Sequence, residues 1–293
     1  MDSNYLLPAY KTAKEPSLSF HPERPSDTDI HPLKGLMKFG PYGQNTMAAI
    51  GGPIRLAVIC PRGHLDKIKR FLSELNQPHK TNHKPEYTPN YPGMISAFRV
   101  NAVVEDHITH ELNINHSEIS GKANPHLAFA EHLSNVVRSF SKQRHNFDLL
   151  IVYLPDEFEP FFVDANSGFD LHDYVKAESA NNDIVTQFLR DKALRTQCKS
   201  TNFWNLALAI YTKVGGIPWK ISAIEDDVAF MGISYSIRNN VEVDNGRPRF
   251  ITCCSQVFDA QGKGLEFVAF EARPHSFQGE NPFLDREQMA KLV

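Results

Sequence analysis

Two continuous apolar runs, "IRLAVIC" (54–60) and "FDLLIVYLP" (147–155), constrain the fold more than any other feature of this chain. Each is short and rich in branched aliphatic residues. Neither shows the polar alternation of a strand with one wet face, so both need cover on two sides. The cover is present in the sequence. In "LDKIKRFLSEL" (65–75), Leu65, Ile68, Leu72 and Leu75 recur on one helical face, and "HLAFAEHLSNVVRSFSKQ" (126–143) is a second amphipathic helix. Strands alternating with helices in this way predict a parallel sheet with helices packed on its faces.

Further along, "DLHDYVKAESANNDIVTQFLRDKAL" (170–194) and "TNFWNLALAIYTKVGG" (201–216) read as helical segments, the first interrupted by the polar loop "ESANND". A helix beginning near Asp183 would carry Gln187 in its first turns. Residues 1–53 are rich in Pro, Gly, Ser and His, and "HPLKGLMKFGPYG" (31–43) reads as an extended lead-in broken by turns. The texture changes after residue 228. "VAFMGISYSI" (228–237), "PRFITCCSQVFD" (248–259) and "GLEFVAFEA" (264–272) are strand-like runs separated by "NNVEVDNGR" and "AQGKG", which predicts an antiparallel meander. "NPFLDREQMAKLV" (281–293) begins a helix. The expected class is α/β. A Rossmann-like domain with a parallel sheet occupies 54–222, an extended arm precedes it at 1–53, and the meander follows at 223–293. No G-x-G-x-x-G opens a helix to mark a dinucleotide site.

Composition narrows the function classes. With 41% hydrophobic and 22% charged residues the chain is of ordinary globular make-up. Its longest apolar runs fall far short of the roughly 20 residues that span a bilayer, so no membrane partner is expected. Cys60, Cys198, Cys253 and Cys254 follow neither metal-ligand nor disulfide spacing, which fits a reducing, cytoplasmic location. A net charge of −3 excludes a nonspecific polyanion coat but permits a local anion pocket.

Several polar residues invite chemistry, and each alone has an ordinary structural reading. Lys213 ends a helix, where the macrodipole favours a cation by roughly 0.3–1 kcal/mol. His172 and Lys176 share a helix face, as many solvated pairs do. His107, His110 and His116 lack a matching set of further metal ligands and read as polar surface. "DEFEPFFVD" (156–164) reads as packing rather than as a stacking platform. Adjacent strand residues Cys253 and Cys254 point to opposite faces, which makes them poor candidates for a mutual disulfide. Together, however, His172, Lys176, Gln187 and Lys213 supply what a terminal phosphate needs: donors converging from several elements.

The order H-x3-K … T-Q … K-V-G-G-I-P-W resembles the MID domain of Argonaute proteins. There the matching positions hold the 5′-phosphate of a guide strand, so the resemblance assigns that role to His172, Lys176, Gln187 and Lys213. The match at the first position lies between His172 and Tyr174. "HPLKGLMKFGPYG" followed by "IRLAVIC" resembles the entry into MID in short prokaryotic Argonautes. "VAFMGISYS" is similar to the first strand of the RNase H-like PIWI domain. The resemblance implies a short guide RNA (or DNA) with a 5′-phosphate and a complementary DNA (or RNA) target. It also implies Mg²⁺ bridging guide phosphates, an effector protein or a second chain completing PIWI, and a role in prokaryotic defence.

Nucleolytic members carry G-I-D in that strand, and this chain has Gly232, Ile233 and Ser234. Two-metal cleavage needs carboxylates to hold hard cations, and a serine hydroxyl supplies neither charge nor affinity. Glu266, Glu271 and Glu280 have no first Asp to cooperate with, and the family's later Asp and His would fall beyond Val293. The expectation is a guide-binding chain that does not cut. The rival readings are a protein-interaction scaffold that has lost guide binding, and an α/β enzyme acting on a phosphorylated small molecule.

Overall fold

A computed structural model describes residues 14–44, 51–82, 84–114, 116–164, 167–222, 228–238, 249–260, 262, 264–272, 276–278, 281–283 and 285–290. Four parallel strands, β1 (Ile54–Pro61), β2 (Ala102–Leu112), β3 (Leu149–Leu154) and β4 (Thr186–Arg190), form one sheet in the order β2-β1-β3-β4. Leu56 stands opposite Leu149, and Leu150 opposite Thr186. The two apolar runs are the inner strands, which is why their sequences lack alternation. Leu56, Val58, Leu149, Ile151 and Tyr153 enter one buried cluster, while Ala57, Ile59, Leu150, Val152 and Leu154 enter the other. β2 was not anticipated from sequence. It is an edge strand with a register shift against β1, and its period-2 signal is broken accordingly.

Five helices complete the layers: α1 (Pro32–Phe39), α2 (Leu65–Ser73), α3 (Pro125–Phe140), α4 (Leu171–Ala180) and α5 (Lys199–Lys213). α1, α2 and α5 cover the first face with Leu36, Ile68, Leu72, Phe203, Trp204 and Ile210. α3 and α4 cover the second with Phe129, Leu133, Val137, Leu171 and Val175. Trp204, only 1% exposed, donates its indole N–H to Pro89 O at 3.0 Å, so its one polar atom is satisfied in the core.

The segment 31–43 differs from the extended lead-in expected. Residues 32–39 are helical, because Pro32 and Gly40 mark the ends, while Gly35 lies buried within the helix. Pro32 occupies the first turn, the His31 ring accepts from Lys34 N at 3.3 Å, and Gly40 N–H closes on Leu36 O. The chain on either side of the main domain meets: Leu18–Ser19 pairs antiparallel with Lys220–Ile221, and Gly43 N donates to Ile217 O at 2.8 Å.

Beyond residue 228 lies a separate antiparallel sheet, β5 (Ala229–Arg238), β6 (Arg249–Asp259) and β7 (Gly264–Ala272), as the turn signals predict. A short strand pair, Ser276–Gln278 with Asn281–Phe283, and a helix at Arg286–Ala290 follow. Among the described residues no helix is long and apolar enough to cross a membrane.

At the C-terminal ends of β3 and β4 sits a buried carboxylate. Asp191 accepts from Tyr153 Oη (2.7 Å), Lys67 Nζ (3.0 Å) and Arg195 NH2 (2.9 Å). Burial by itself raises its pKa; these donors outweigh burial and hold the group at about 2.

Candidate functional site

The last turn of α5 explains the "KVGG" sequence. Gly216 N donates to Tyr211 O at 2.9 Å and Gly215 N to Thr212 O at 3.0 Å, the paired bonds of a Schellman ending. Gly215 has φ 93°, a left-handed value that a side chain disfavours, and a Cβ on Gly216 would stand 2.4 Å from the Tyr211 ring. The chain therefore leaves the helix sharply, and Lys213 is left at its rim. Its ammonium does not simply face the helix dipole. Nζ reaches across to β4, donating to Thr186 O at 2.7 Å and to Gln187 Oε1 at 2.8 Å. Gln187 Nε2 in turn donates to Phe188 O at 2.8 Å. The two side chains thus cap carbonyls of the sheet's outermost strand, and an open edge of this kind needs such cover.

Gln187 is accordingly on a strand, not in the first turns of a helix as the sequence suggested. The residue at which that helix was to begin, Asp183, has φ 55° and belongs to the turn entering β4. "DIVTQFLRD" is a short β-branched run, and pairing with β3 decides its conformation. Edge-strand geometry, not a helix N-terminus, positions Gln187.

Lys213, Lys176, Arg144 and Thr186 line one open groove of about 640 Å³. Lys176 arrives from α4 on the opposite face of the sheet. Burial and the neighbouring Lys176 ammonium both lower the Lys213 pKa from its ordinary value. Neither ammonium has a carboxylate at ion-pair distance among the described residues. Two half-buried cations that repel one another are an arrangement a bridging anion would relieve, by taking charge-assisted hydrogen bonds from both.

His172 does not line this groove. It lines a separate hollow with Phe162, Asp170, Phe188 and Arg190, and its ring centroid is 5.0 Å from that of Phe188. Tyr174 packs on Phe169 at 5.8 Å instead, which leaves His172 as the ring facing β4. Lys176 and Lys213 thus share one groove, Gln187 joins them through its bond to Lys213, and His172 lines a different hollow. Arg144 is a groove residue that sequence reasoning missed; "SKQRHNF" carries no signal beyond composition.

The ligand atoms of Asp170, His172 and Asp173 lie within 4.8 Å of one another. Asp170 Oδ1 is committed to capping α4, accepting from His172 N (2.8 Å) and Asp173 N (3.2 Å). In the groove itself Asp183 is the one carboxylate among the described lining residues, the other charged groups are cations, and the Gln187 side-chain oxygen is taken by Lys213. That set does not fit a divalent ion, which wants several oxygen ligands. His107, His110 and His116 are exposed. Ser234 is exposed in β5, paired in register with Cys253. Glu266 is exposed in β7. Glu280 and the side chains of Glu271, Cys253 and Cys254 lie outside the described residues.

The fold and the groove define a class: an α/β chain with a groove lined by Arg144, Lys176 and Lys213, with Asp183 at its wall, at the open edge of a parallel sheet. Within that class the chain is similar to Argonaute proteins. A 90-residue stretch, 30% of the chain, is 36% identical to the Argonaute of Aquifex aeolicus strain VF5, and covers 12% of that protein's length. No family model matches. Among solved structures, the Argonaute Aa-Ago with externally bound siRNA aligns over 75% of this chain and 27% of its own, at 17% identity and TM-score 0.41. Marinitoga piezophila Argonaute in complex with a 5′ OH guide RNA aligns over 94% and 35%, at 9% identity and TM-score 0.42.

Proposed function

We propose that this chain anchors the 5′ end of a short guide strand and presents it for pairing with a complementary target. The observation that carries the reading is the convergence of Lys176 and Lys213, from helices on opposite faces of the sheet, on one groove with Gln187 between sheet and cation. In this reading residues 54–222 are the guide-end-binding unit and His172 borders the first base. Residues 223–293 are part of a PIWI-like domain. Base pairing reads the target while the protein reads backbone, the logic of guided recognition generally. A divalent ion at the guide phosphates would take its ligands chiefly from phosphate oxygens, because the groove offers few of its own.

The chain does not cleave in this proposal. Ser234 stands where the resemblance places a metal-binding Asp, and without that charge the first metal site is not built. Phe230, Met231, Ile233, Leu265 and Phe267 are exposed on the meander, an apolar surface that suits a covering effector or further chain.

The test is the affinity of one short RNA with a 5′-phosphate against the same RNA with a 5′-hydroxyl. The proposal expects at least tenfold tighter binding of the phosphate, abolished by Lys176→Ala/Lys213→Ala. Equal affinities would favour a hydroxyl-end guide or a scaffold. For the nuclease, a guide-directed cut of complementary DNA by pure protein with Mg²⁺ or Mn²⁺ would overturn the reading of Ser234.

A further inference from the structure

Arg144 stands in the tight turn Ser141–Asn146 that follows α3. Its Nε donates to Asp183 O at 2.7 Å and its NH1 to Phe147 O at 2.9 Å, while the guanidinium carbon lies 5.6 Å from the Phe147 ring centroid. Two carbonyls and a ring fix the fork before any ligand arrives. Four of the domain's other arginines are neutralised, Arg55 by Asp148, Arg138 by Glu178, Arg190 by Glu159 and Arg195 by Asp191, while Arg70 and Arg99, like Arg144, bond backbone carbonyls but do not line this groove. Arg144 meets carbonyls only, which satisfy N–H groups without cancelling the charge. Its NH2 has no partner among the described residues, and the side chain lines the same groove as Lys176 and Lys213. A planar fork, pre-set and still fully charged, is suited to phosphate. Through Nε the same residue also holds the Asp183 turn from which β4 and Gln187 depart.

Resting on the 5′-end reading above, we propose that Arg144 is a guide-positioning residue that bonds a phosphate oxygen through NH2 alongside the two lysines. The experiment measures affinity for a short 5′-phosphorylated single-stranded RNA across a salt series. Arg144→Gln keeps an amide donor for Asp183 O and removes the charge. It should bind about tenfold more weakly at low salt. Its slope of log K against log salt should also be shallower by about 0.7, one fewer phosphate neutralised on a single strand. Arg144→Lys should keep the slope and lose affinity several-fold, since a point charge replaces the fork. An anchor with a purely structural role would shift the melting temperature and leave the slope alone, so a wild-type slope in Arg144→Gln, or wild-type affinity in Arg144→Lys, overturns the proposal. The unmodified chain is scored first. If it shows no preference for a phosphorylated over a hydroxyl end, the 5′-end reading itself fails. If it prefers the phosphate and Arg144→Gln matches it in slope and affinity, only the role of Arg144 fails.

Discussion

Lys176 and Lys213 share a groove but not a workload, and substitutions separate them. The Lys176 ammonium makes no hydrogen bond among the described residues, so Lys176→Ala should weaken phosphate binding at least tenfold with little effect on thermal stability. Lys213 also caps Thr186 O and Gln187 Oε1. Lys213→Ala should lose binding and, in addition, about 1–2 kcal/mol of stability in denaturant unfolding, because two half-buried acceptors lose their donor. The pH dependence follows from the depressed Lys213 pKa. Binding needs the protonated amine, so affinity should fall as pH rises through a value below the ordinary lysine range. On the acid side it should rise as the terminal phosphate gains its second charge near pH ~6. Titrated affinities tracing this bell would support the assignment, while a flat profile from neutral to alkaline pH would count against Lys213. Lys176, Gln187 and Lys213 were legible only as a set, since each taken alone has an ordinary structural reading. Arg144 was illegible because its placement depends on the Asp183 turn, which folds against it from 39 residues away.

At the scale of elements, the inner strands and the two long amphipathic helices could be read directly, because burial on two faces leaves an unbroken apolar run and burial on one leaves a helical period. The failures share no single signal. Where a short segment is compatible with helix and strand, a partner decides, and the partner is distant in sequence. β4 takes its conformation from β3, while α1 is fixed by its end residues His31, Pro32 and Gly40 rather than by any period. The turn after α5 offers a sharp test. Gly216→Ala should destabilise more than Gly215→Ala: the first drives a methyl into the Tyr211 ring, the second only strains φ, by roughly 1–2 kcal/mol. The reverse order in melting experiments would mean that the Tyr211 ring yields easily. Asp191 gives a pH test of the β3–β4 end. A carboxylate held at about 2 contributes stability that is present above its unfolded value near ~3.9 and is lost as pH falls through about 2. Asp191→Asn should cost about 2–3 kcal/mol at neutral pH and flatten the acid limb of the stability curve.

Over the whole molecule, the parallel sheet supplies a rigid edge and the helices on its two faces deliver one cation each to that edge. Neither layer makes the site alone, which is why the α/β class and the groove are parts of one argument. The antiparallel meander extends the chain beyond the site and leaves apolar side chains uncovered. The most direct measurement of the central claim is a crystal structure of the chain with a 5′-phosphorylated oligonucleotide. The account predicts the terminal phosphate in the groove at the β4 edge, with Lys176 Nζ and Lys213 Nζ both within hydrogen-bond distance of its oxygens. A phosphate bound elsewhere, with Lys213 still capping the strand and Lys176 facing solvent, would contradict it.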